Sequence, residues 1–193
     1  MNQTKNQNKN QNENSGKKVL VHCCCGICAG YPLDMLKSEE LEPVAYFYNP
    51  NIYPDIEYKN RLGAMQALCL DNGVKLIEAE YNNEFYEEEM SEFRDFEEGS
   101  ERCLKCFEIR LRQTCDYAKK NGFLIFTTTL SVSPHKNFEN IKAIAEKLAN
   151  EYNLKFLDYN FKKKDGFLKT IQKSKALNLY RQNYCGCKNS MHE

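Results

Sequence analysis

The sequence contains no long apolar segment, no excess of charge of one sign and no internal repeat. No stretch reaches the roughly 18 apolar residues that a membrane-spanning helix needs, so no such helix is expected. The first 16 residues, MNQTKNQNKNQNENSG, are polar and lack the apolar core of a secretory signal. We therefore expect a disordered leader and a cytoplasmic protein. The formal net charge of zero also excludes a chain that is basic over its whole length.

Cysteine, in contrast, is abundant, with ten residues in the chain. A disulfide framework is disfavoured because no export signal is visible and the segments are regularly patterned. Cys69 and Cys115 are interpreted as buried packing residues, since a free thiol packs as a small hydrophobe. The clustering of the other cysteines favours metal or redox chemistry.

Short apolar segments alternate with segments of helical periodicity, which predicts a Rossmann-like three-layer α/β domain over residues 17–193. The expected strands are Val19–His22, Pro43–Tyr48, Val74–Glu80, Phe123–Thr128 and Leu154–Asp158. The expected helices are Pro32–Glu40, Asp55–Asp71, Glu84–Glu97, Arg102–Lys120, Asn137–Tyr152 and Asp165–Leu179. In a mostly parallel sheet, the loops that follow the strands lie at one edge. We therefore expect HCCCGIC, NPNIYPDIEY and TTTLSVSPHKN to face one crevice.

The first cysteine cluster, HCCCGIC, follows the first expected strand. Successive side chains of a strand alternate between its faces, so neighbouring cysteines can reach one metal only where the backbone turns. Gly26 is expected to supply the permissive backbone for that turn. Cys28 is expected near the start of a helix, where backbone N–H groups favour a thiolate.

Two further cysteine pairs follow, Cys103 with Cys106 and Cys185 with Cys187. The first pair shares one face of a predicted helix. The second pair is too close in sequence for an unstrained structural disulfide, which favours a redox dithiol or two metal ligands. Zinc and a [4Fe–4S] cluster both bind four thiolates. The spacing favours the cluster, because an adjacent cysteine pair is unusual in a zinc knuckle.

The charge is unevenly distributed along the chain. Residues 78–101 are strongly acidic, whereas residues 154–184 are basic and carry interleaved aromatic side chains. Clustered cations beside aromatic rings suit phosphate contacts and base stacking, although a charged segment is often only a solvated face.

Four segments together resemble the motifs of one family. HCCCGIC, NPNIYPDIEYKNR, EGSERCLKCFEIRL and LYRQNYCGCKNS are similar, in this order, to the motifs of the cobalamin-independent epoxyqueuosine reductases, the QueH family. The resemblance runs from about Lys18 to Ser190. It implies a fold related to the nucleotide α-hydrolase (HUP) group and the reduction of epoxyqueuosine in the tRNA anticodon loop to queuosine. Ile27, Tyr53 and Phe107 depart from the family pattern, but none of them removes a thiol.

The resemblance also implies cofactors and roles for individual residues. A [4Fe–4S] cluster is implied, with a second mononuclear iron beside it. Cys23 matches a variable position, whereas Cys28 matches a cysteine of the first motif and is a further candidate metal ligand. The implied cluster ligands are Cys24, Cys25, Cys103 and Cys106. The implied redox-active pair is Cys185 and Cys187.

Removing the oxygen of an epoxide to form an alkene and water consumes two electrons and two protons. A cluster passes one electron at a time, so a Cys185/Cys187 dithiol or a second iron is a useful partner. Glu57, His135 and Tyr48 are candidate proton donors, although an ordinary structural hydrogen bond is the favoured interpretation of each. His22 is expected to be a buried, hydrogen-bonded imidazole. An electron donor is also required, and the sequence does not identify it.

The basic segment leads directly into the Cys185 motif, which gives the hypothesis that residues 162–175 hold the tRNA backbone. A zinc-stabilised RNA-binding protein and a general thiol–disulfide oxidoreductase remain alternatives. An ATP-using tRNA enzyme is disfavoured, because HCCCGICAG occupies the place of an S-G-G-x-D-S phosphate loop.

Overall fold

The structure is a computed structural model that describes residues 17–191. The expected leader, residues 1–16, lies outside the described residues. The strands are β1 (Lys18–His22), β2 (Glu42–Phe47), β3 (Lys75–Glu78), β4 (Ile125–Thr128) and β5 (Lys155–Phe156). The α-helices are α1 (Gly26–Ser38), α2 (Asp55–Asn72), α3 (Asn83–Glu89), α4 (Glu101–Lys120), α5 (Phe138–Tyr152) and α6 (Gly166–Ala176). None of these helices is both long enough and apolar enough to cross a membrane.

The five strands form one parallel sheet in the order β3-β2-β1-β4-β5. The strict alternation of side chains along β1 explains why both faces are covered. Val19 and Val21 pack into one core with α1 and α2, whereas Leu20 packs into a second core with α4 and α5. This confirms the predicted three-layer α/β fold with its parallel sheet.

The first helix begins earlier than the sequence indicates. The sequence predicts a helix that begins at Pro32, but α1 begins at Gly26 and contains Pro32 in its interior. The residue that fixes the start is Cys25, whose side-chain sulfur accepts a hydrogen bond from the backbone N–H of Cys28. Cysteine is rare at the N-cap position because sulfur is a weak acceptor, so the sequence around Cys25 does not predict a helix start there.

The loops after β1, β2 and β4 meet at the carboxyl edge of the sheet, as predicted. The backbone N–H of Cys24 donates to Thr129 Oγ1 at 3.2 Å, which joins the loops after β1 and β4. The side-chain amide of Asn49 donates to the carbonyl of Cys23 at 2.9 Å, which joins the loops after β1 and β2. The strand order reverses between β1 and β4, the point where open α/β sheets place ligands.

Candidate metal centre

Three cysteines at the carboxyl end of β1 bring their sulfur atoms together. The sulfurs of Cys24, Cys25 and Cys28 lie within 4.8 Å of one another, and those of Cys24 and Cys25 are 4.0 Å apart. Within residues 17–191, no other three side chains of His, Cys, Asp or Glu come this close. A sulfur-only set of donors suits zinc or an iron–sulfur cluster, whereas calcium and magnesium prefer oxygen.

The junction between β1 and α1 brings the three sulfurs together. The sulfur of Cys25 accepts a hydrogen bond from the backbone N–H of Cys28 at 3.4 Å and so caps the helix. Gly26 follows, and its role differs from the prediction, because its φ is not in the left-handed region. A Cβ at Gly26 would lie 2.6 Å from the carbonyl oxygen of Ala64 in α2. Glycine is therefore required for the close approach of α1 to α2.

The three thiols share negative charge unequally. Hydrogen bonds from the thiols of Cys25 and Cys28 lower the pKa of Cys24 well below its usual value, with support from Lys136 and Arg110. The pKa of Cys25 rises to about 12 because it is paired with Cys24, and the pKa of Cys28 is raised by both neighbours. These shifts favour a negative charge on Cys24 over one on Cys28, the residue for which the start of the helix predicts a thiolate.

Polar groups from two other segments contact the sulfurs. Gln182 Nε2 donates to the sulfur of Cys25 at 2.9 Å, and the hydroxyl of Thr129 donates to the sulfur of Cys24 at 3.5 Å. Hydrogen bonds to ligand sulfurs are one way in which proteins tune iron–sulfur clusters. Two of the three thiols thus accept hydrogen bonds from side chains of other segments.

His22 lies directly below this group as a buried and fully paired imidazole. Its Nε2 lies 3.2 Å from the carbonyl oxygen of Tyr48, and its Nδ1 lies 2.9 Å from Thr128 Oγ1. A carbonyl only accepts, so Nε2 carries the proton and Nδ1 accepts from the hydroxyl. Burial lowers the pKa of His22 to about 3, so it stays neutral. The expectation of a buried, hydrogen-bonded histidine is confirmed.

Cys103 and Cys106 lie in the first turns of α4 and do not belong to the group of three. The backbone N–H of Gly99 donates to the sulfur of Cys103 at 3.2 Å. Cys106 is buried in a small apolar cluster with Tyr86, against which Cys187 also packs. Burial raises the pKa of both Cys103 and Cys106. The structure therefore brings Cys106 close to the C-terminal pair.

The backbone of the C-terminal pair is held by one buried arginine of α2. Arg61 donates from Nη1 to the carbonyl of Cys185 at 2.8 Å and from Nη2 to that of Tyr184 at 3.1 Å. Its Nε donates to Glu57 at 2.6 Å, and the hydroxyl of Tyr180 donates to the other carboxylate oxygen. The guanidinium also lies 5.1 Å from the centre of the Tyr184 ring. A single side chain thus fixes the segment that enters the CGC turn.

The turn itself requires glycine between its two cysteines. Gly186 has a φ of +128°, and a Cβ there would lie 2.9 Å from Nη1 of Arg61. Its carbonyl accepts from the backbone N–H of Tyr53 at 2.8 Å, and its own N–H donates to Ser190 Oγ at 3.2 Å. The C-terminal pair is therefore fastened to the loop after β2.

The three predicted proton donors have different surroundings. Glu57 is buried and already bound to Arg61 and Tyr180, so it has a structural role. His135 is exposed on the loop after β4. Burial raises the pKa of Tyr48 while Arg110 lowers it, and the phenol stays protonated at neutral pH. Of the three, Tyr48 best combines a transferable proton with a place at the carboxyl edge.

The cysteines interpreted as packing residues lie in the core. Cys69 and Cys115 are 3% and 0% exposed and belong to the two main cores. Cys23 is also fully buried, and its thiol donates to the carbonyl of Val21 at 3.3 Å. Its side chain follows the alternation of β1 to the face opposite Cys24. The interpretation of Cys69 and Cys115 as packing residues is confirmed.

The basic C-terminal segment is partly used for internal contacts. Lys173 pairs with Asp34 at 2.5 Å, and Lys162 donates to the carbonyl of Lys136 at 2.6 Å. The remaining six cations are exposed, and they are Lys155, Lys163, Lys164, Lys169, Lys175 and Arg181. These six are available to contact a polyanion.

Sequence reasoning missed four polar residues of the site, which are Asn49, Arg61, Arg110 and Gln182. Each of them lies within a quoted motif, but the roles predicted for those motifs concern other residues, namely the cysteines, His22, Gly26 and Glu57. Their presence inside the motifs was the available signal. Their partners lie up to 157 residues away in the chain, so no local pattern predicts the contacts.

Comparisons with known proteins give one family by two routes. Residues 19–193 match the family model described as epoxyqueuosine reductase QueH. A relative named epoxyqueuosine reductase QueH from Dehalococcoides mccartyi is 36% identical, over 91% of this chain and 93% of its own. Relatives of the same name from Thermotoga maritima and Histophilus somni are 34% and 32% identical. Both alignments cover 91% of this chain, and they cover 91% and 73% of the respective relatives.

Proposed function

The chain belongs to the epoxyqueuosine reductase QueH family, and we propose that it reduces epoxyqueuosine in the anticodon loop of tRNA to queuosine. The proposed place of action is the cytoplasm. The observation that supports this most strongly is the group of three sulfurs at the carboxyl edge of the sheet, in a chain whose residues 19–193 match this family.

The proposed cofactor is a [4Fe–4S] cluster bound by thiolates. The described residues fit such a group, because the sulfur-only donor set is compact and Gln182 and Thr129 already donate to it. When bound, the cluster supplies electrons one at a time at low potential. The resemblance implies Cys24, Cys25, Cys103 and Cys106 as its ligands, with a second iron beside it. The position of Cys28 in the group of three makes it an additional candidate ligand.

The C-terminal pair is proposed to store the two electrons that the reaction consumes. Oxidation of the Cys185 and Cys187 thiols to a disulfide releases two electrons and two protons, which is what conversion of an epoxide into an alkene and water consumes. Arg61 and Gly186 fix the backbone of this turn, which keeps the two thiols on the side of Cys106. A strained disulfide between such close cysteines would be readily reduced again.

Proton transfer is proposed to involve Tyr48. The oxygen that leaves the epoxide must take up a proton, and a protonated phenol at the carboxyl edge can supply it. Replacing Tyr48 with Phe should slow product formation while leaving iron content unchanged. An unchanged rate would exclude this role for Tyr48.

The exposed cations of the basic segment are proposed to contact the tRNA backbone. Replacing Lys163 and Lys164 with Glu should weaken tRNA binding and make it less sensitive to salt, with a slope smaller by about one unit per lost contact. The matched control replaces Lys119 and Lys120 with Glu. These two lysines are exposed at the C-terminal end of α4, whereas Cys103 and Cys106 lie in its first turns. Equal effects of the two double variants on binding would exclude a specific role for the segment.

The reaction is tested with tRNA that carries epoxyqueuosine. Anaerobically reconstituted protein and a low-potential reductant should convert the nucleoside to queuosine, which mass spectrometry detects as the loss of one oxygen atom. Zinc at one ion per chain without iron would instead favour an RNA-binding protein. Full activity of Cys24→Ala and Cys103→Ala would favour a thiol–disulfide oxidoreductase.

A further inference from the structure

Arg110 is a buried cation without an acidic partner. Its side chain lies in α4 and is 2% exposed. Among residues 17–191, no carboxylate lies within ion-pair distance of it. Its Nη2 donates to Asn49 Oδ1 at 2.6 Å, whereas its Nε has no hydrogen-bond partner within the same residues. Burying an unpaired charge costs free energy, so an anion beside this guanidinium would stabilise the folded protein.

Three thiols contribute to the electrostatic environment of Arg110. Burial lowers the pKa of Arg110, but the thiols of Cys106, Cys24 and Cys185 together raise it above its ordinary value. These thiols come from α4, from the end of β1 and from the C-terminal segment. The guanidinium therefore lies where the three cysteine-bearing segments of the chain converge.

Asn49 links Arg110 to the loop that carries the group of three sulfurs. Its Oδ1 accepts from Arg110, while its Nδ2 donates to the carbonyl of Cys23 at 2.9 Å. Asn49 is 1% exposed, so both hydrogen bonds are shielded from water. A single amide thus fixes the distance between the guanidinium and the backbone next to Cys24.

We propose that Arg110, positioned by Asn49, is a counter-cation of the metal–sulfur site and raises the affinity of that site for electrons. This inference rests on the cluster of the proposed function. A thiolate-ligated cluster becomes more negative when it takes up an electron, and a nearby buried cation stabilises that state. The unpartnered Nε–H gives the guanidinium a free donor for a sulfur atom of the site.

The experiment measures the midpoint potential of the reconstituted full-length protein by redox titration. Arg110→Gln removes the charge and should weaken the affinity for the added electron at least tenfold, which is about 59 mV towards more negative potential. Arg110→Lys keeps the charge and should stay close to the wild type. The matched control is Arg112→Gln, because Arg112 lies on the same helix in a surface ion pair with Glu108 and Glu151.

A second variant keeps the test decisive if Arg110→Gln does not fold. Asn49→Asp leaves the arginine in place and puts a carboxylate against it, which should also shift the potential to more negative values. Potentials equal to that of the wild type in both loaded variants would overturn the role of Arg110 alone. A wild-type protein that binds no cluster would overturn both this role and the proposed cofactor.

Discussion

The buried arginine that holds the CGC turn allows a quantitative test of the C-terminal segment. Arg61→Met removes the charge-assisted hydrogen bonds to the carbonyls of Tyr184 and Cys185. It also leaves the carboxylate of Glu57, which is 5% exposed, without its cation. Breaking a buried ion pair on one side costs about 3–5 kcal/mol, so the free energy of unfolding should fall by that amount.

The assay is urea denaturation, with Arg112→Met as the control. Arg112 loses only surface ion pairs, which contribute about 0–1 kcal/mol. The double variant Arg61→Met/Glu57→Met should recover part of the loss, because no unpaired charge then remains buried. Alkylation of Cys185 and Cys187 should be faster in Arg61→Met than in the control. Equal stability losses and equal alkylation rates for Arg61→Met and Arg112→Met would refute the reasoning.

Two further predictions concern the scaffold. Gly26→Ala should lower the free energy of unfolding by about 1–3 kcal/mol, because its Cβ would lie 2.6 Å from the backbone of α2. A Cβ at Gly63 in α2 meets nothing within 4 Å, so Gly63→Ala should raise the free energy of unfolding by about 0.5–1 kcal/mol. Thermal unfolding compares the two, and equal effects would contradict the close approach. Burial raises the pKa of Cys115 from 9.0 to about 12, so the folded chain keeps this proton where the unfolded chain loses it, and stability falls as pH rises through this range. Between pH 9 and 10 the wild type should lose about 1 kcal/mol more than Cys115→Ala in urea denaturation, and parallel losses would exclude this contribution.

The sequence predicts the features of the fold that depend on local periodicity. The alternation along β1 places Val19, Val21 and Cys23 on one face, where all three lie in the same core. The parallel sheet then determines which loops share an edge. Both steps use only neighbouring residues, which explains why they succeed.

The features that the sequence does not predict depend on contacts between distant segments. Gly26 is required by the backbone of α2, and the C-terminal turn is held by Arg61, which lies 124 residues before Cys185. Besides the hydrogen bonds from Cys25 and Cys28, Lys136 and Arg110 lower the pKa of Cys24 from two distant segments of the chain. Helix position predicts a thiolate at Cys28, but the hydrogen bonds within the group of three place the charge on Cys24.

The most direct test of the central claim is the iron content of Cys24→Ala after anaerobic reconstitution, compared with Cys69→Ala. Cys24 belongs both to the group of three sulfurs and to the implied ligand set, whereas Cys69 lies in the core. We predict that Cys24→Ala loses the bound iron and that Cys69→Ala retains the wild-type amount. Iron in Cys24→Ala equal to that of the wild type would contradict the assignment of the metal centre to the end of β1.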